Sequence, residues 1–137
     1  MSDKNNYKAA GVLLFNQKGQ VYLGIDRKGF LCDFGGKKEA IDNDCPLTTA
    51  TRECREESSI NPILSTNNSV YLSKSKYRLY LASTGDIPIP SNEIKEINLF
   101  DSIYGIDHVL HPRLRDRTGK QYISRWIAKT FSNQLLK

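Results

Sequence analysis

The sequence predicts an α/β fold in which a mixed β-sheet lies between helices within one domain, residues 1–137. The chain has 137 residues, the size of one ordinary domain. Its 39% hydrophobic and 26% charged residues are typical of a folded globular protein. Strand-like runs lie on both sides of one helical pattern, and a second helical pattern lies near the C-terminus. This order of elements favours a sheet covered by helices.

The first predicted element is a β-hairpin. Its strands are the runs Lys8–Phe15 and Gln20–Asp26, which contain apolar and β-branched residues. The loop between them ends in Gly19, and glycine readily adopts the positive φ that a hairpin loop requires. A glycine-bearing stretch, Lys28–Lys37, follows, and its apolar run Phe30–Phe34 predicts a further strand.

The next predicted element is a helix that begins at Pro46 and ends near Ser58. Proline is favoured in the first turn of a helix. Leu47, Ala50 and Cys54 recur at i, i+3 and i+7, which places them in one apolar stripe. The stripe predicts a helix with one apolar side.

The second half of the chain predicts three strands and a terminal helix. Val70–Leu72, Tyr77–Ala82 and Ile94–Phe100 have strand character, and residues 85–90 form a loop between the last two. The terminal helix has the wide apolar face that packing on a sheet requires. This face consists of Tyr122, Ile123, Trp126, Ile127, Phe131 and Leu135.

We expect a cytoplasmic protein that makes no use of a membrane. The apolar run Ala9–Phe15 is far shorter than the roughly 18 residues of a membrane span, and no signal peptide is recognisable. The cysteines Cys32, Cys45 and Cys54 include no CxxC pair, which argues against a disulfide framework and a zinc site. A reducing, intracellular environment follows as an expectation.

Positive charge is in excess. Twenty Lys and Arg residues against fifteen Asp and Glu give a formal charge of +5, which favours an anionic partner such as a phosphate-rich ligand or RNA. The excess is concentrated in the stretch Arg113–Lys129, where six basic residues accompany one acid, Asp116. A solvated basic face explains this stretch equally well.

An acidic cluster lies in the last turns of the predicted first helix. Glu53, Glu56 and Glu57 stand at i, i+3 and i+4 and therefore share one helix face. Their mutual repulsion and the helix dipole both disfavour negative charge there. Hard divalent cations such as Mg²⁺ bind several carboxylates together with substrate phosphates. The cluster is a candidate metal site, and the alternative is a solvated acidic face paired with Arg52 and Arg55.

A glycine pair, Gly35 and Gly36, precedes this helix, and such a backbone can approach a metal or phosphate closely. With the hairpin and the acidic helix, it resembles the Nudix hydrolase family. The family pattern is Gly, five residues, Glu, seven residues, Arg-Glu, an apolar residue, any residue, Glu-Glu, any residue, Gly and an apolar residue. Here the pattern begins at Gly36 and ends with the run Arg52–Ile60.

Three departures from the family pattern are present. Asp42 replaces the first Glu, nine residues instead of seven precede Arg52, and Ser59 replaces the second Gly. The two extra residues, within Asn43–Leu47, predict a longer loop before the helix. Ser59 replaces a residue that favours helix ends. Neither the longer loop nor Ser59 removes a residue that the resemblance makes a ligand.

The resemblance implies an α/β/α sandwich and a site for Mg²⁺ or Mn²⁺. The metal ligands would be the carboxylates of Glu53, Glu56 and Glu57 and the backbone carbonyl of Gly36. The general base would be Glu57, Glu56 or, on a later loop, Glu93.

Other residues receive supporting roles from the same resemblance. Arg52 would hold a neighbouring carboxylate, that of Glu39 or Glu56, in position. Lys37 and Lys38 are candidates for neutralising substrate phosphate, with solvated lysines as the alternative. Four aromatics at strand spacing are candidates for stacking on a base but are expected mainly in the core. They are Phe30, Phe34, Tyr77 and Tyr80.

The function that the resemblance implies is hydrolysis of a diphosphate linkage in a nucleoside diphosphate joined to another group. The expected partner is therefore a nucleotide or another small polyphosphate. One alternative is removal of the cap from capped RNA, which the basic stretch Arg113–Lys129 would favour. A second alternative is a non-catalytic module that binds a nucleotide or RNA. Loss of the carboxylates would indicate that module, and all three are present. The oligomeric state stays open.

Overall fold

The computed structural model describes residues 6–131, which form a mixed sheet with a helix on each face. The helices are α1 (Pro46–Ser58) and α2 (Arg117–Thr130). The strands are β1 (Ala9–Phe15), β2 (Val21–Ile25), β3 (Leu31–Cys32), β4 (Phe34–Lys37), β5 (Ser69–Leu72), β6 (Tyr77–Ser83) and β7 (Glu96–Phe100). The predicted α/β class is confirmed. Neither helix in this part of the chain is long and apolar enough to cross a membrane.

The sheet is built around β1, which pairs with three other strands. It runs antiparallel to β2 and β4 on one side and parallel to β6 on the other. The order along the main path is β3-β2-β1-β6-β5, and β7 pairs with β2. The parallel pair requires a crossover, and α1 lies within the segment that connects β1 to β6. The sheet is therefore mixed, as predicted.

The predicted hairpin is confirmed. β1 and β2 pair antiparallel, and Gly19 in the loop has φ +85°. The side-chain oxygen of Asn16 accepts hydrogen bonds from the backbone N–H groups of Lys18 and Gln20, each at 3.0 Å. These bonds satisfy backbone N–H groups of the loop that the pairing of β1 with β2 leaves without a partner. The sequence of the loop thus defines the connection that starts the sheet.

α1 covers one face of the sheet. Ala10, Val12 and Leu14 of β1 point to this face and pack with Ala50 and Cys54 of the helix in one buried cluster. Alternate residues of a strand face the same side, so one strand supplies the whole row. The predicted bounds of the helix, Pro46 and a residue near Ser58, are confirmed.

α2 covers the opposite face. Phe15 of β1 packs against Trp126 with ring centroids 5.0 Å apart, in the same cluster as Ile123. The indole N–H of Trp126 donates to the Asn68 side-chain oxygen at 3.2 Å. The predicted apolar face of the terminal helix is confirmed, except for Leu135, which lies outside the described residues.

The region of Phe30–Phe34 differs from the prediction of one strand. β3 is only two residues long and pairs with β2, and after Asp33 the chain continues as β4, which pairs with β1. Gly35 and Gly36 therefore lie inside a strand and not in a loop. The pairing partner changes at Asp33 because the strand beside this segment is first β2 and then the N-terminal half of β1. This change depends on contacts between distant segments, which the spacing of apolar residues does not encode.

Candidate active site

The candidate site is built on one face of α1. Glu53 and Glu57 are 9% and 6% exposed, because this face packs against β4. The side chain of Glu56 is 42% exposed. The helical spacing that the sequence indicated thus brings one accessible and two buried carboxylates together.

Gly36 of β4 lies directly against one of these carboxylates. A Cβ atom on Gly36 would lie 2.5 Å from Cδ of Glu53 and within 2.7 Å of both its carboxylate oxygens. Glycine has no such atom, so the backbone can lie directly against the carboxylate. Any other residue at position 36 would have to displace Glu53.

Arg52 binds several carboxylates of the site at once. Its Nε and Nη2 donate to Oδ1 and Oδ2 of Asp42 at 3.0 and 2.9 Å. Its Nη1 lies 2.9 Å from Glu53 and 3.4 Å from both Glu56 and Glu39. The hydrogen bonds from Arg52 lower the pKa of Asp42 to about 2. Glu39 and Glu56 were the partners considered from the sequence, and the structure places Asp42 and Glu53 closer.

Glu57 is the most unusual carboxylate of the site. Its Oε1 is buried and has no hydrogen-bond partner among residues 6–131. Burial and then the nearby charges of Glu53 and Asp33 raise the pKa of Glu57 to about 8. A buried acceptor without a partner costs about 1–3 kcal/mol. A proton or a cation is therefore needed to stabilise this oxygen.

The chemistry of the donors fits a hard divalent cation. Carboxylate and carbonyl oxygens are the ligands that Mg²⁺ and Mn²⁺ prefer. Burial raises the pKa of Glu53 as well, which adds to the need for positive charge at this place. Across residues 6–131, no group of three or more His, Cys, Asp or Glu side chains is already arranged as a metal site. The side chain of Arg52 instead lies against Glu53 and Glu56.

Known structures share this architecture. A Nudix hydrolase from M. smegmatis matches the chain with a TM-score of 0.69 at 18% identity, over 90% of this chain and 86% of that one. The chain has the Nudix fold. An Ap4A hydrolase from C. elegans matches with a TM-score of 0.59 at 16% identity, covering 95% and 98% of the two chains. The E. coli dihydroneopterin triphosphate pyrophosphohydrolase matches with 0.63 at 15% identity, covering 90% and 98%.

Sequence comparison adds nothing to this assignment. No protein-family profile matches the chain, and no curated protein is significantly similar to it. The solved structures therefore confirm the Nudix fold that the motif predicted.

The departures from the Nudix pattern have clear structural positions. Asn43 and Asp44, in the lengthened loop, both have φ +54°, a left-handed conformation that Asn and Asp tolerate better than most residues. Ser59 ends α1 with φ +63°, the conformation that the glycine of the Nudix pattern adopts without strain. The longer loop and the altered helix end leave the bounds of α1 intact.

Glu93 lies on the loop that contacts the end of α1. The backbone N–H of Ser91 donates to the carbonyl of Glu57 at 3.1 Å, which attaches this loop to the helix. The side chain of Glu93 is exposed and pairs with Arg27 at 3.2 Å. Within residues 6–131, no hydrogen bond or ion pair joins it to the three glutamates of α1.

The two lysines after the glycine pair have different surroundings. Lys37 is exposed, and its carbonyl accepts a hydrogen bond from Arg52 at 3.2 Å. Lys38 pairs with Asp44 at 2.8 Å and lies 4.9 Å from the ring centroid of Tyr7. Of the two, Lys37 is the more exposed residue.

Sequence reasoning missed a buried polar cluster beneath the glycine pair. Asp33 is 0% exposed and accepts hydrogen bonds from the Tyr77 hydroxyl at 2.5 Å and from Nε of Arg113 at 2.8 Å. One signal was available, since Asp33 is a single acid inside the apolar run Phe30–Phe34. Nothing in the sequence indicated its partners, which follow 44 and 80 residues later.

Two other expectations change in the structure. Phe34, Tyr77 and Tyr80 lie in the core, so they are packing residues and not exposed platforms for a base. Arg113, the first residue of the basic stretch, is turned inward to Asp33. Lys120 of the same stretch pairs with Asp107. The stretch is therefore not one continuous basic surface.

Proposed function

We propose that this chain is a Nudix-type pyrophosphohydrolase that uses Mg²⁺ or Mn²⁺. Its substrate would be a nucleoside diphosphate joined to another group, cleaved at the diphosphate linkage. The observation that carries the proposal is the unpartnered Oε1 of buried Glu57, next to Glu53 and the Gly35–Gly36 strand. Purely structural carboxylates are normally paired when buried.

The cation would be held by Glu53, Glu56 and Glu57 and by the backbone carbonyl of Gly36. When bound, it neutralises charge on the diphosphate oxygens and makes a water molecule more acidic. The buried pair, Glu53 and Glu57, supplies fixed ligands, because packing against β4 restricts their side chains. Arg52, anchored on Asp42, orients Glu53 through the 2.9 Å contact.

The proton of the attacking water must pass to a base. The candidates are Glu57, Glu56 and Glu93. Glu56 is favoured among them, because it is the accessible carboxylate of the cluster at 42% exposure. Glu57 is enclosed, and Glu93 is paired with Arg27 on a separate loop. Lys37 lies at the end of β4 next to the site and would neutralise phosphate.

The structural neighbours suggest which substrates to try first. They include enzymes whose names specify Ap4A and dihydroneopterin triphosphate, both of which contain phosphoanhydride bonds. An Ap4A molecule is a nucleotide joined through phosphates to a second nucleoside, which is the general form of the proposed substrate. We therefore place dinucleoside polyphosphates and nucleoside triphosphates in the first panel.

The test is a hydrolysis assay of this panel followed by ³¹P NMR, with Mg²⁺, with Mn²⁺ and with excess EDTA. Running it in H₂¹⁸O shows that water attacks phosphorus, since the label then appears in a phosphate product. We expect turnover with either metal and none in EDTA. The variant Glu57→Gln should lose this turnover. Its matched control is Glu96→Gln, at an exposed position of β7, which should keep it. Full turnover in EDTA would contradict the metal-dependent mechanism.

A further inference from the structure

Asp33, Tyr77 and Arg113 form a buried network on the side of the sheet opposite α1. Asp33 accepts hydrogen bonds from both of the other residues, and Tyr77 is packed in the apolar cluster beneath α2. The guanidinium of Arg113 is stacked 4.5 Å from the centroid of the Tyr77 ring. We refer to these three residues as the support network.

The support network touches the glycine strand directly. Gly11 of β1 pairs with Gly35 of β4, and the Tyr77 hydroxyl lies against both residues. A Cβ atom added to Gly35 would be 1.8 Å from this oxygen, and one added to Gly11 would be 2.1 Å from it. Two paired glycines are therefore required for the hydroxyl to occupy this place.

The Gly35–Gly36 peptide lies between the support network and the carboxylates of α1. On one face of the sheet the Tyr77 hydroxyl fills the space that a side chain of residue 35 would take. On the other face, the next residue, Gly36, lies directly against the Glu53 carboxylate, and a Cβ atom there would be 2.5 Å from Cδ of Glu53. Any shift of β4 toward the space of the hydroxyl would therefore move the Gly36 backbone away from Glu53. A single peptide thus separates the support network from the proposed metal ligand.

The support network is also attached to the late loop. Arg113 lies in a short 3-10 helix, Pro112–Arg115, and the backbone N–H of His111 just before it donates to the Leu31 carbonyl at 2.8 Å. The side chain of Arg113 is only 15% exposed. A buried ion pair contributes little to stability compared with apolar residues of the same volume. Stabilisation of the fold alone therefore does not explain the buried Asp33–Arg113 ion pair.

We propose that Asp33, Tyr77 and Arg113 are positioning residues that hold the Gly35–Gly36 peptide, and through it the Glu53 carboxylate beside Glu57, in the geometry that binds the divalent cation. The proposal rests on the proposed function to the extent that Glu53 is a metal ligand. Substitution of residues that orient a metal ligand without binding the metal commonly weakens metal affinity. None of the three residues needs to touch the substrate.

Tyr77→Phe is the sharpest variant, because it removes only the hydroxyl that lies against Gly35. Hydrogen exchange of the Gly35 amide, followed by NMR in the metal-free protein, is the first measurement. The second is the Kd for Mn²⁺, obtained from the EPR signal of the free ion without substrate. We expect faster exchange of the Gly35 amide and about tenfold weaker Mn²⁺ binding.

Ile123→Val is the control for loss of stability. Ile123 is buried in the same apolar cluster but has no hydrogen bond to the support network, and this substitution costs about 1 kcal/mol. The control should lower Tm without changing the Mn²⁺ affinity or the relative exchange rate of Gly35. Arg113→Lys keeps the positive charge, so its Mn²⁺ affinity and its Gly35 exchange rate should lie between those of the wild type and of Tyr77→Phe.

The outcomes separate the two proposals. If Tyr77→Phe behaves like Ile123→Val in both measurements, the support network only stabilises the fold, and the positioning role is overturned. If the wild type neither binds Mn²⁺ nor hydrolyses any diphosphate, the proposed function fails together with the metal part of this inference. Exchange of the Gly35 amide still decides, in that case, whether the support network positions the peptide.

Discussion

Arg52 and Asp42 form a two-pronged ion pair, with Nε 3.0 Å from Oδ1 and Nη2 2.9 Å from Oδ2. Asp42 is fully enclosed and also accepts hydrogen bonds from the Thr49 hydroxyl and the Glu39 N–H at 2.8 and 2.9 Å. Such bidentate pairing fixes the plane of a guanidinium. The remaining nitrogen of Arg52 is thereby aimed at Glu53, which makes Asp42 important to a site it does not enter.

Asp42→Asn should lower the free energy of unfolding by about 2–3 kcal/mol, because the enclosed guanidinium loses its charged partner. Urea unfolding at pH 7 measures this difference. Asp44→Asn is the control, since it removes an exposed carboxylate of the same loop and should cost less than about 0.5 kcal/mol. Equal losses in the two variants would contradict a special role for the Arg52–Asp42 pair.

The Asp42 contribution should also depend on pH. Its pKa is about 2 in the folded protein and 3.8 ordinarily, so between these values the unfolded chain binds more protons. The stabilisation is complete above about pH 4 and is lost as the pH falls toward 2. The difference in Tm between wild type and Asp42→Asn should shrink over that window, and a constant difference would argue against the pair.

Glu57→Gln should lower kcat by at least about 100-fold at saturating metal, because a neutral amide replaces the buried ligand. Steady-state assays on the best substrate of the panel measure this loss. Glu96→Gln, at an exposed position of β7, is the control and should keep the kcat of the wild type. A Glu57→Gln variant with the kcat of the wild type would show that Glu57 is neither ligand nor base.

The same substitution should stabilise the metal-free protein at alkaline pH. The pKa of Glu57 is about 8 in the folded protein and 4.5 ordinarily, so the folded state retains a proton that the unfolded chain releases between these values. The free energy of unfolding of the wild type should therefore decrease as the pH rises from 4.5 to 8. In EDTA at pH 8.5, Glu57→Gln should exceed the wild type by at least about 1 kcal/mol. Parallel pH profiles for the two proteins would refute this reading.

Ser59→Gly should raise the free energy of unfolding by about 0.5–1 kcal/mol. Ser59 has φ +63°, which strains any residue with a Cβ atom and suits glycine. The variant also loses a long hydrogen bond, 3.3 Å, from the Ser59 hydroxyl to the Ile89 carbonyl. Thr48→Gly, at an exposed position in the first turn of α1, should instead cost roughly 0.3 kcal/mol, the difference in helix propensity between threonine and glycine. Thermal unfolding shows whether each variant raises or lowers the stability of the protein.

Capped RNA should bind no better than a free cap dinucleotide, because Arg113 and Lys120 of the basic stretch are paired with acids of the same chain. Binding is measured over a range of salt concentrations. If RNA used the exposed side of α2, the double variant Arg117→Gln, Arg125→Gln would flatten the log–log salt slope by about one unit. That result would favour the capped-RNA alternative.

The sequence predicted the parts of the fold that depend on neighbours along the chain. Gly19 marked the hairpin, Pro46 and Ser58 bounded α1, and the spacing of Glu53, Glu56 and Glu57 gave the carboxylate face. Each is a matter of local backbone preference or helical period. These same features carried the resemblance that the fold comparison later supported.

What escaped prediction depends on contacts between distant segments. The switch of partner at Asp33 requires β1 and β2 to be in place, and the Asp33–Arg113 pair joins residues 80 positions apart. Arg113 looked like one more charge of a basic stretch, since a single sequence does not show which arginine turns inward. Asp42 was recognised as a replacement for Glu, but its pairing with Arg52 needed the loop conformation of Asn43 and Asp44.

Trp126 is the only tryptophan of the chain, and it is held between Phe15 and Phe131 at centroid distances of 5.0 and 5.7 Å. Its intrinsic fluorescence therefore reports on a single place, the junction of α2 with the sheet. A shift of its emission maximum to longer wavelength measures undocking of α2 without any label. Because the carboxylates lie on the other side of the sheet, that signal should stay nearly unchanged during metal titration, which separates unfolding from ligand binding in one cuvette.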